Sequence, residues 1–405
     1  MGDSSVDTGC DILIAGGGPA GAALALALAD GARRITVVEA RAQPPQGDTR
    51  ATALGAGSVR LLTALGVWAE LAPGAVPVHT VEVSQAGQFG RARLRASELG
   101  TDYLGQVVAY DALARVLAGA ARAAPGVEWL APASVEDIRS EDAAVRLQVL
   151  APDGVCERTA ALAVAAEGTH SPLRAAAGIG TRTHDYEQTA LLTPVETRGD
   201  PHTGYERFTA DGPMALLPAG GASRTLVWTL PPERARAHQS LDRSAFAQAV
   251  GRCLGRSLGP VVARGTPAAW PLKRVEAQQS WRGRVALIGN AARTLHPVGA
   301  QGFNLALRDV GWLAASLATA ADPGDPEVLE AWARARRLDR ACTRGFTDIL
   351  ARGFVRGGRA LAGVRAGALI GLDSCPAAKS TLAGQTMGLI AGLPRIGRWQ
   401  LEGRS

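Results

Sequence analysis

Close to the N-terminus the chain carries 18 consecutive residues without a charge, Ile12 to Ala29 (ILIAGGGPAGAALALALA). A run of that length is long enough to cross a bilayer as a helix. Gly16, Gly17, Gly18 and Pro19 stand in its middle, where they break a helix. The run therefore parses as a buried strand over 11–15, a tight glycine turn and a helix from about 19 to 30. A second apolar strand follows, Ile35-Thr-Val-Val, and ends at Glu39.

The turn reads Gly16-x-Gly18-x-x-Gly21, with Glu39 placed 18 residues after its last glycine. Alone, such a glycine spacing says little. Between a strand and a helix, with an acidic residue at the end of the next strand, it specifies a nucleotide-binding βαβ unit. Gly16 permits the turn, Gly18 lets backbone approach a pyrophosphate, and Gly21 lets strand and helix pack closely. Ala20 and Gly21 lie in the first helical turn, whose free N–H groups and positive dipole attract phosphate. Glu39 is placed to accept hydrogen bonds from the ribose hydroxyls.

Composition agrees with a soluble globular chain and adds exclusions. A length of 405 residues predicts two or three domains. Apolar residues make up 47% and charged residues 20%, which excludes a disordered chain and a fibre. The net charge of +6 is mild for the length and gives no reason to expect nucleic acid. All but two of the 43 cationic side chains are Arg, an excess best read as compositional bias. Cys10, Cys156, Cys253, Cys342 and Cys375 are scattered, form no CxxC pair, and suggest a reducing compartment with no metal centre. The N-terminus has no basic segment before its first apolar run, so no cleaved signal peptide is expected.

Two later segments distinguish NAD from FAD. Leu162–Ser171 runs as a strand into Glu167-Gly168, and Arg284–Ala292 as a strand into Gly289-Asn290. With the glycine turn they resemble the three fingerprints of the FAD-dependent aromatic hydroxylases of the para-hydroxybenzoate hydroxylase type. The segment Leu295–Asp309 (LHPVGAQGFNLALRD) narrows the resemblance to the ubiquinone-biosynthesis hydroxylases of the 2-octaprenyl-6-methoxyphenol hydroxylase (UbiH) type. So do Asp48–Leu54, Leu104–Val108, Tyr205-Glu206-Arg207-Phe208 and Gly212–Pro218. The likeness covers nearly the whole chain. It departs at Glu167, where the broad family has Asp, at Asn290, where the broad family has Asp but the narrower group Asn, and at Gly299-Ala300, where the group more often reads Ala-Gly.

The resemblance implies tightly bound, non-covalent FAD, NAD(P)H as cosubstrate, and hydroxylation of an electron-rich phenol through a flavin C4a-hydroperoxide. The implied substrate is a polyprenylated 6-methoxyphenol, attacked para to its hydroxyl. Gly16, Gly18, Ala20, Gly21, Glu39, Arg50, Gln106, Glu167, Gly168, Gly289 and Asn290 would hold the cofactor, Arg50 and Gln106 at its pyrophosphate. Gly302, Phe303 and Asn304 would join them at the start of a helix over 301–318 that points at the flavin pyrimidine edge. Pro297, Gln301 and Gly302 would form the loop that positions the ring, with no side-chain acid or base assigned. His296 reads as a structural loop residue. Two alternatives stay open: a sister hydroxylase acting on another ring position or another aromatic, and a non-catalytic accessory subunit, for which Glu167 is the sequence argument.

The expected fold is α/β: a Rossmann-like FAD domain (1–77, 98–180, 271–320) interleaved with a mixed β-sheet substrate domain (78–97, 181–270), then a helical tail (321–405). Val78–Ala86 and Arg91–Ala96 read as a hairpin, and 188–198, 203–209, 213–218 and 223–230 as a meander. Leu216, Leu217, Trp228 and Trp270 are candidate pocket walls whose plainer reading is core. The tail is basic and amphipathic. It reads equally as a helical cap or as a contact to anionic lipid or to a ubiquinone-biosynthesis protein complex. The implied partners are a lipophilic phenol and O2, and the implied location is the cytoplasm, with the membrane's inner face as the site of any lipid contact.

Overall fold

The computed structural model describes residues 9–29, 33–48, 50–353 and 359–389. The charge-free run forms β1 (Gly9–Ala15) and α1 (Pro19–Leu28), and β2 (Ile35–Val38) follows. β1 pairs in parallel with β2 on one side and with Gly154–Ala165 on the other. Val127–Leu130 extends the parallel sheet beyond β2, and Val285–Leu287 extends it beyond Gly154–Ala165. Alternate residues of β1 face opposite sides, as strand geometry requires. Ile12 and Ile14 meet α1 and the helices Tyr110–Ala123 and Gln301–Ala318. Leu13 and Ala15 meet the antiparallel strands Ser134–Ser140 and Val145–Ala151. A sheet buried on both faces explains why β1 and β2 are uninterrupted apolar runs.

A second, larger sheet has the order Arg293–Thr294, Ala268–Ala277, Thr181–Glu196, Ser223–Leu230, Pro213–Pro218, Thr203–Phe208, Thr80–Gln85, Arg91–Arg95. This corrects three expectations. The meander holds only from Thr203 to Leu230, because Thr181–Glu196 pairs with Ser223–Leu230 and not with its sequence neighbour. Val78 leaves the expected hairpin: the strand Val76–Val78 pairs with Gly105–Ala109, which also pairs with Ala51–Gly55. Residues 271–277 belong to this sheet, through Ala268–Ala277, and not to the FAD domain. A strand's address in a sheet depends on which edge its hydrogen bonds can reach, and sequence adjacency carries little of that.

The helix Arg243–Leu254 is capped by Asp242, which accepts the Ala245 N–H at 2.8 Å, and packs Phe246 and Val250 against Trp228 and Leu216. The tail forms the helices Pro326–Gly353, Arg359–Ser374 and Pro376–Met387; residues 354–358 and 390–405 lie outside the described residues. Arg359–Ser374 lies against Arg91–Arg95, where Asp373 accepts the Arg93 N–H at 2.9 Å. Lys379 reaches Glu98 at 2.8 Å. These contacts make the described part of the tail a cap on the fold. Among the described residues no helix is long and apolar enough to cross a membrane.

Candidate active site

Four motifs from distant parts of the sequence meet at one edge of the parallel sheet. Ala15 stands opposite Val38 and Ala165, and Ala165 stands opposite Leu287. The turns that leave these strands, at Gly16, Glu39, Glu167-Gly168 and Gly289-Asn290, therefore lie side by side at the carboxyl ends, where open α/β sheets bind ligands. The three glycines of the first turn have distinct surroundings. A Cβ at Gly16 (φ +101°) would lie 2.6 Å from the Ala166 carbonyl, and one at Gly21 would lie 1.9 Å from the Gly16 oxygen. A Cβ at Gly18 would meet nothing within 4 Å. Packing thus explains Gly16 and Gly21, while Gly18 borders open space at the N-terminus of α1, which no side chain caps. Ala20 and Gly21 are in that first turn. This is the arrangement that accepts a pyrophosphate.

Glu39 accepts the Gly17 N–H at 2.6 Å and the Arg41 N–H at 2.9 Å, one on each oxygen. A carboxylate has about four acceptor positions, so two remain for ribose hydroxyls. Glu167 turns inward. It accepts from the Ser171 hydroxyl and from the Leu173 N–H at 3.2 Å, and so caps the short helix Pro172–Ala176. Its extra methylene lets it reach that helix. Burial raises its pKa, against the opposing effect of those hydrogen bonds and of Arg174. Gly168 (φ +96°) borders open space. Gly289 (φ +58°) closes on Ala20, and Asn290 is exposed beside it.

Sequence reasoning missed Arg174. Its buried guanidinium donates to the Thr169 and Ala291 carbonyls, both at 2.9 Å, and so locks the second and third turns together. One arginine among so many carries no local signal. Arg50 is paired with Asp48 at 2.6 Å and stacks on Tyr110 and on Trp270. Gln106 sits between Leu54 and Pro77 in the small sheet.

The segment Leu295–Asp309 contributes in three ways. His296 is buried; its Nδ1 accepts the Val298 N–H at 3.1 Å, so Nε2 carries the proton toward Gln188, 3.2 Å away. Burial lowers its pKa to about 4 despite the nearby Asp348. The loop then takes two left-handed residues in succession, Gly299 (φ +71°) and Ala300 (φ +51°). The second is strained for any residue with a Cβ, and it falls where the resembled group usually has Gly. The helix Gln301–Ala318 begins there with no side-chain cap, with Gly302 on open space and Phe303 against the core. Gln301 donates to the Gly299 and Thr386 carbonyls at 3.0 and 3.2 Å. Asn304 accepts from Gly55 N–H and Ser58 and donates to Ala53 and Ala300. All four hydrogen-bonding positions of its amide are used, so any cofactor contact at Asn304 falls to its backbone.

Arg308 and Asp309, which end the segment, build a buried ionic network with the long tail helix. Asp309 is 1% exposed and meets Arg293 at 2.6 Å, Arg336 at 2.8 Å and Arg340 at 3.1 Å. Burial would raise the Asp309 pKa; the three guanidinium groups overcome it and hold the carboxyl well below the usual range. Arg308 meets Asp339 at 2.8 Å, and Arg336 also bonds Asp339.

Beyond the loop lies a cavity of about 530 Å³. Pro297 to Gln301 form one wall, the large sheet another, and the helices Arg359–Ser374 and Pro376–Met387 a third. Its lining is apolar apart from a few groups, among them Glu206, Tyr205 and Arg365. Of the candidate walls, Leu217 lines it, a correction to the core reading. Leu216 and Trp228 are core, and Trp270 is 47% exposed beside Arg50, neither wall nor core.

The family described as the FAD binding domain matches residues 9–342. The chain is 33% identical over 346 residues to 3-demethoxyubiquinol 3-hydroxylase of Escherichia coli (strain K12), covering 84% of this chain and 86% of the relative. It is 32% identical over 366 residues to ubiquinone hydroxylase UbiL of Rhodospirillum rubrum, covering 86% and 83% respectively. Among solved structures, p-nitrophenol 4-monooxygenase PnpA of Pseudomonas putida DLL-E4 has the same fold, with a TM-score of 0.78 at 20% identity over 94% of this chain and 98% of that one. The nucleotide turns at one sheet edge, the bare helix end and the agreement with these proteins have a common origin: the chain belongs to the FAD-binding family of flavin-dependent aromatic hydroxylases, among the relatives that serve ubiquinone biosynthesis.

Proposed function

We propose that this protein hydroxylates the ring of a polyprenylated 6-methoxyphenol, para to its hydroxyl, using FAD, NAD(P)H and O2. The observation that carries the reading is the apolar cavity bounded by the Pro297–Gln301 loop. Its size suits a phenol head with the first part of a prenyl chain. FAD, when bound, would pass two electrons from NAD(P)H to O2, of which one oxygen atom enters the ring and the other leaves as water. The chain's own residues bind and orient. The amides of Ala20 and Gly21 would hold pyrophosphate, Glu39 would hold ribose, Asn290 would hold the ribityl hydroxyls, and Gly168 would leave room for the cofactor beside them. The amides of Gln301 to Phe303, at a positive helix end, stabilise negative charge at the pyrimidine edge. The cavity excludes water from the reacting ring. Arg50, held by Asp48, would be the cation at the pyrophosphate.

A second reading is hydroxylation at a sister ring position, favoured by the 33% identity to a protein named as a 3-hydroxylase. Attachment to the inner face of the cytoplasmic membrane, or to other enzymes of ubiquinone synthesis, would bring the lipophilic substrate to the cavity mouth. Purified protein is expected to be yellow, to oxidise NAD(P)H faster when the phenol is added, and to yield a product 16 mass units heavier, one oxygen atom added. Ring position follows from the product's NMR spectrum. Colourless protein that cannot be reconstituted with FAD overturns the reading.

A further inference from the structure

We propose that Glu206 receives the proton of the substrate's ring hydroxyl and holds the ring in the cavity by that contact. This rests on the phenol-hydroxylase reading above and names a residue for it.

The strand Thr203–Phe208 alternates between two environments. Tyr205 and Arg207 face the helix Arg243–Leu254: Tyr205 packs in that core, and Arg207 donates to the Cys253 carbonyl at 2.6 Å. Gly204, Glu206 and Phe208 face the cavity. The strand neighbours of Glu206 are Ala215 and Val83, both apolar cavity walls. Glu206 is half-buried and lines the cavity. Among the described residues it has no hydrogen-bond or ion-pair partner. Glu82, the nearby acid on the adjoining strand, is paired with Arg93 at 2.7 Å. Holding a carboxyl half-buried on an apolar wall without a partner costs stability, and the fold gains no contact in return. A ligand hydroxyl would complete the site.

The chemistry suits a phenol. The ring O–H bond breaks, its electron pair stays on the ring oxygen, and the proton goes to a Glu206 carboxylate oxygen. The ring carbons ortho and para to that oxygen become electron-rich, which is what addition of an electrophilic oxygen requires. Once the oxygen is added, the C–H bond of the hydroxylated carbon breaks, its electron pair restores the ring and its proton goes to water; Glu206 returns its own proton to the ring oxygen as product leaves. Burial raises the Glu206 pKa to about 7. Against a phenol near 10, the transfer is then unfavourable by about a thousandfold; for an ordinary carboxylate near 4.3 it would be roughly five hundred thousandfold. The other titratable residues that border the cavity are Tyr205, whose ring packs on the far side of the strand and whose pKa burial raises, and Arg365 from the helix Arg359–Ser374. Tyr205 keeps its proton near neutral pH.

The test compares wild type with Glu206→Gln and Glu206→Asp as full-length, FAD-loaded proteins, with 2-methoxy-6-prenylphenol as probe. Wild-type kcat for product is expected to rise with pH through about 7. In Glu206→Gln it falls by about a hundredfold or more and loses that rise, while FAD content is unchanged and Tm does not fall. Glu206→Asp recovers part of the rate and a pH-dependent limb. Glu206→Gln within threefold of wild type with the same pH rise overturns the proposal alone. A variant that loses FAD or Tm in proportion to its rate also overturns it, in favour of a structural role. Wild type that forms no product from any phenol overturns the hydroxylase reading, and this proposal with it.

Discussion

Gly18 and Gly21 stand three residues apart in one turn and have opposite surroundings. Open space beside Gly18 means that Gly18→Val should fold normally and yet lose FAD, since the new side chain fills the place of the pyrophosphate. Far-UV circular dichroism with the flavin absorbance of the purified protein checks both halves; a yellow variant contradicts the phosphate reading. Gly21→Ala should fail earlier, as insoluble or strongly destabilised protein, because its Cβ would overlap the Gly16 carbonyl. His296 gives a pH prediction. Its folded pKa is lowered to about 4, so between the unfolded value near 6.5 and 4 the unfolded chain binds a proton that the folded chain refuses. Stability is therefore complete above that window and falls as pH drops through it, by up to about 3 kcal/mol. Denaturant unfolding at pH 7 and pH 4.5 should show a smaller loss in His296→Gln than in wild type.

Helices and strands show how far local pattern reaches. The helix Gln301–Ala318 has the bounds expected for it, and Asp242 caps the helix Arg243–Leu254 through the Ala245 N–H. Those features are local, set by residues within a turn of one another. What Arg308 and Asp309 do was not legible, because their partners come from Arg293 and from Arg336, Asp339 and Arg340 on another helix. Asp309→Asn would leave three buried guanidinium groups short of a counter-charge, and the cost is expected to be about 3–5 kcal/mol. Asp309 keeps its charge at any pH above the ordinary carboxylate range, so the loss should be undiminished at neutral pH. Equilibrium unfolding at pH 7 measures it, and a loss below 1 kcal/mol would mean that the network is replaceable.

Across the whole molecule, the tail completes a cavity that the two sheets leave open. Leu369, Leu372, Leu382 and Met387 line it, and Thr386 holds Gln301. A chain ending at Gly353 should keep FAD, because the nucleotide turns lie in the parallel sheet. It should show at least a tenfold higher KM for the lipophilic phenol and release more hydrogen peroxide per NAD(P)H, since water reaches the reacting ring. The same chain tested on anionic vesicles separates the tail's two uses: binding equal to that of the full chain assigns the tail to the cavity and not to a lipid surface.

The sequence by itself determined the βαβ unit, the three turns at the sheet edge and the family, because these rest on backbone sterics and on motifs whose residues lie close together in the chain. Glu167 marks the limit of that reasoning: the departure was visible, but its reach to Ser171 and Leu173 was not. Only the tertiary structure decided the order of the large sheet, the bridge that Arg174 makes between two turns, the ring of arginines around Asp309 and the solitary carboxyl of Glu206. Each of these depends on which distant segments share a neighbourhood. For a charged side chain that neighbourhood sets everything: the same Glu is a solvated surface group, a helix cap or an unpaired acid in an apolar cavity according to what surrounds it.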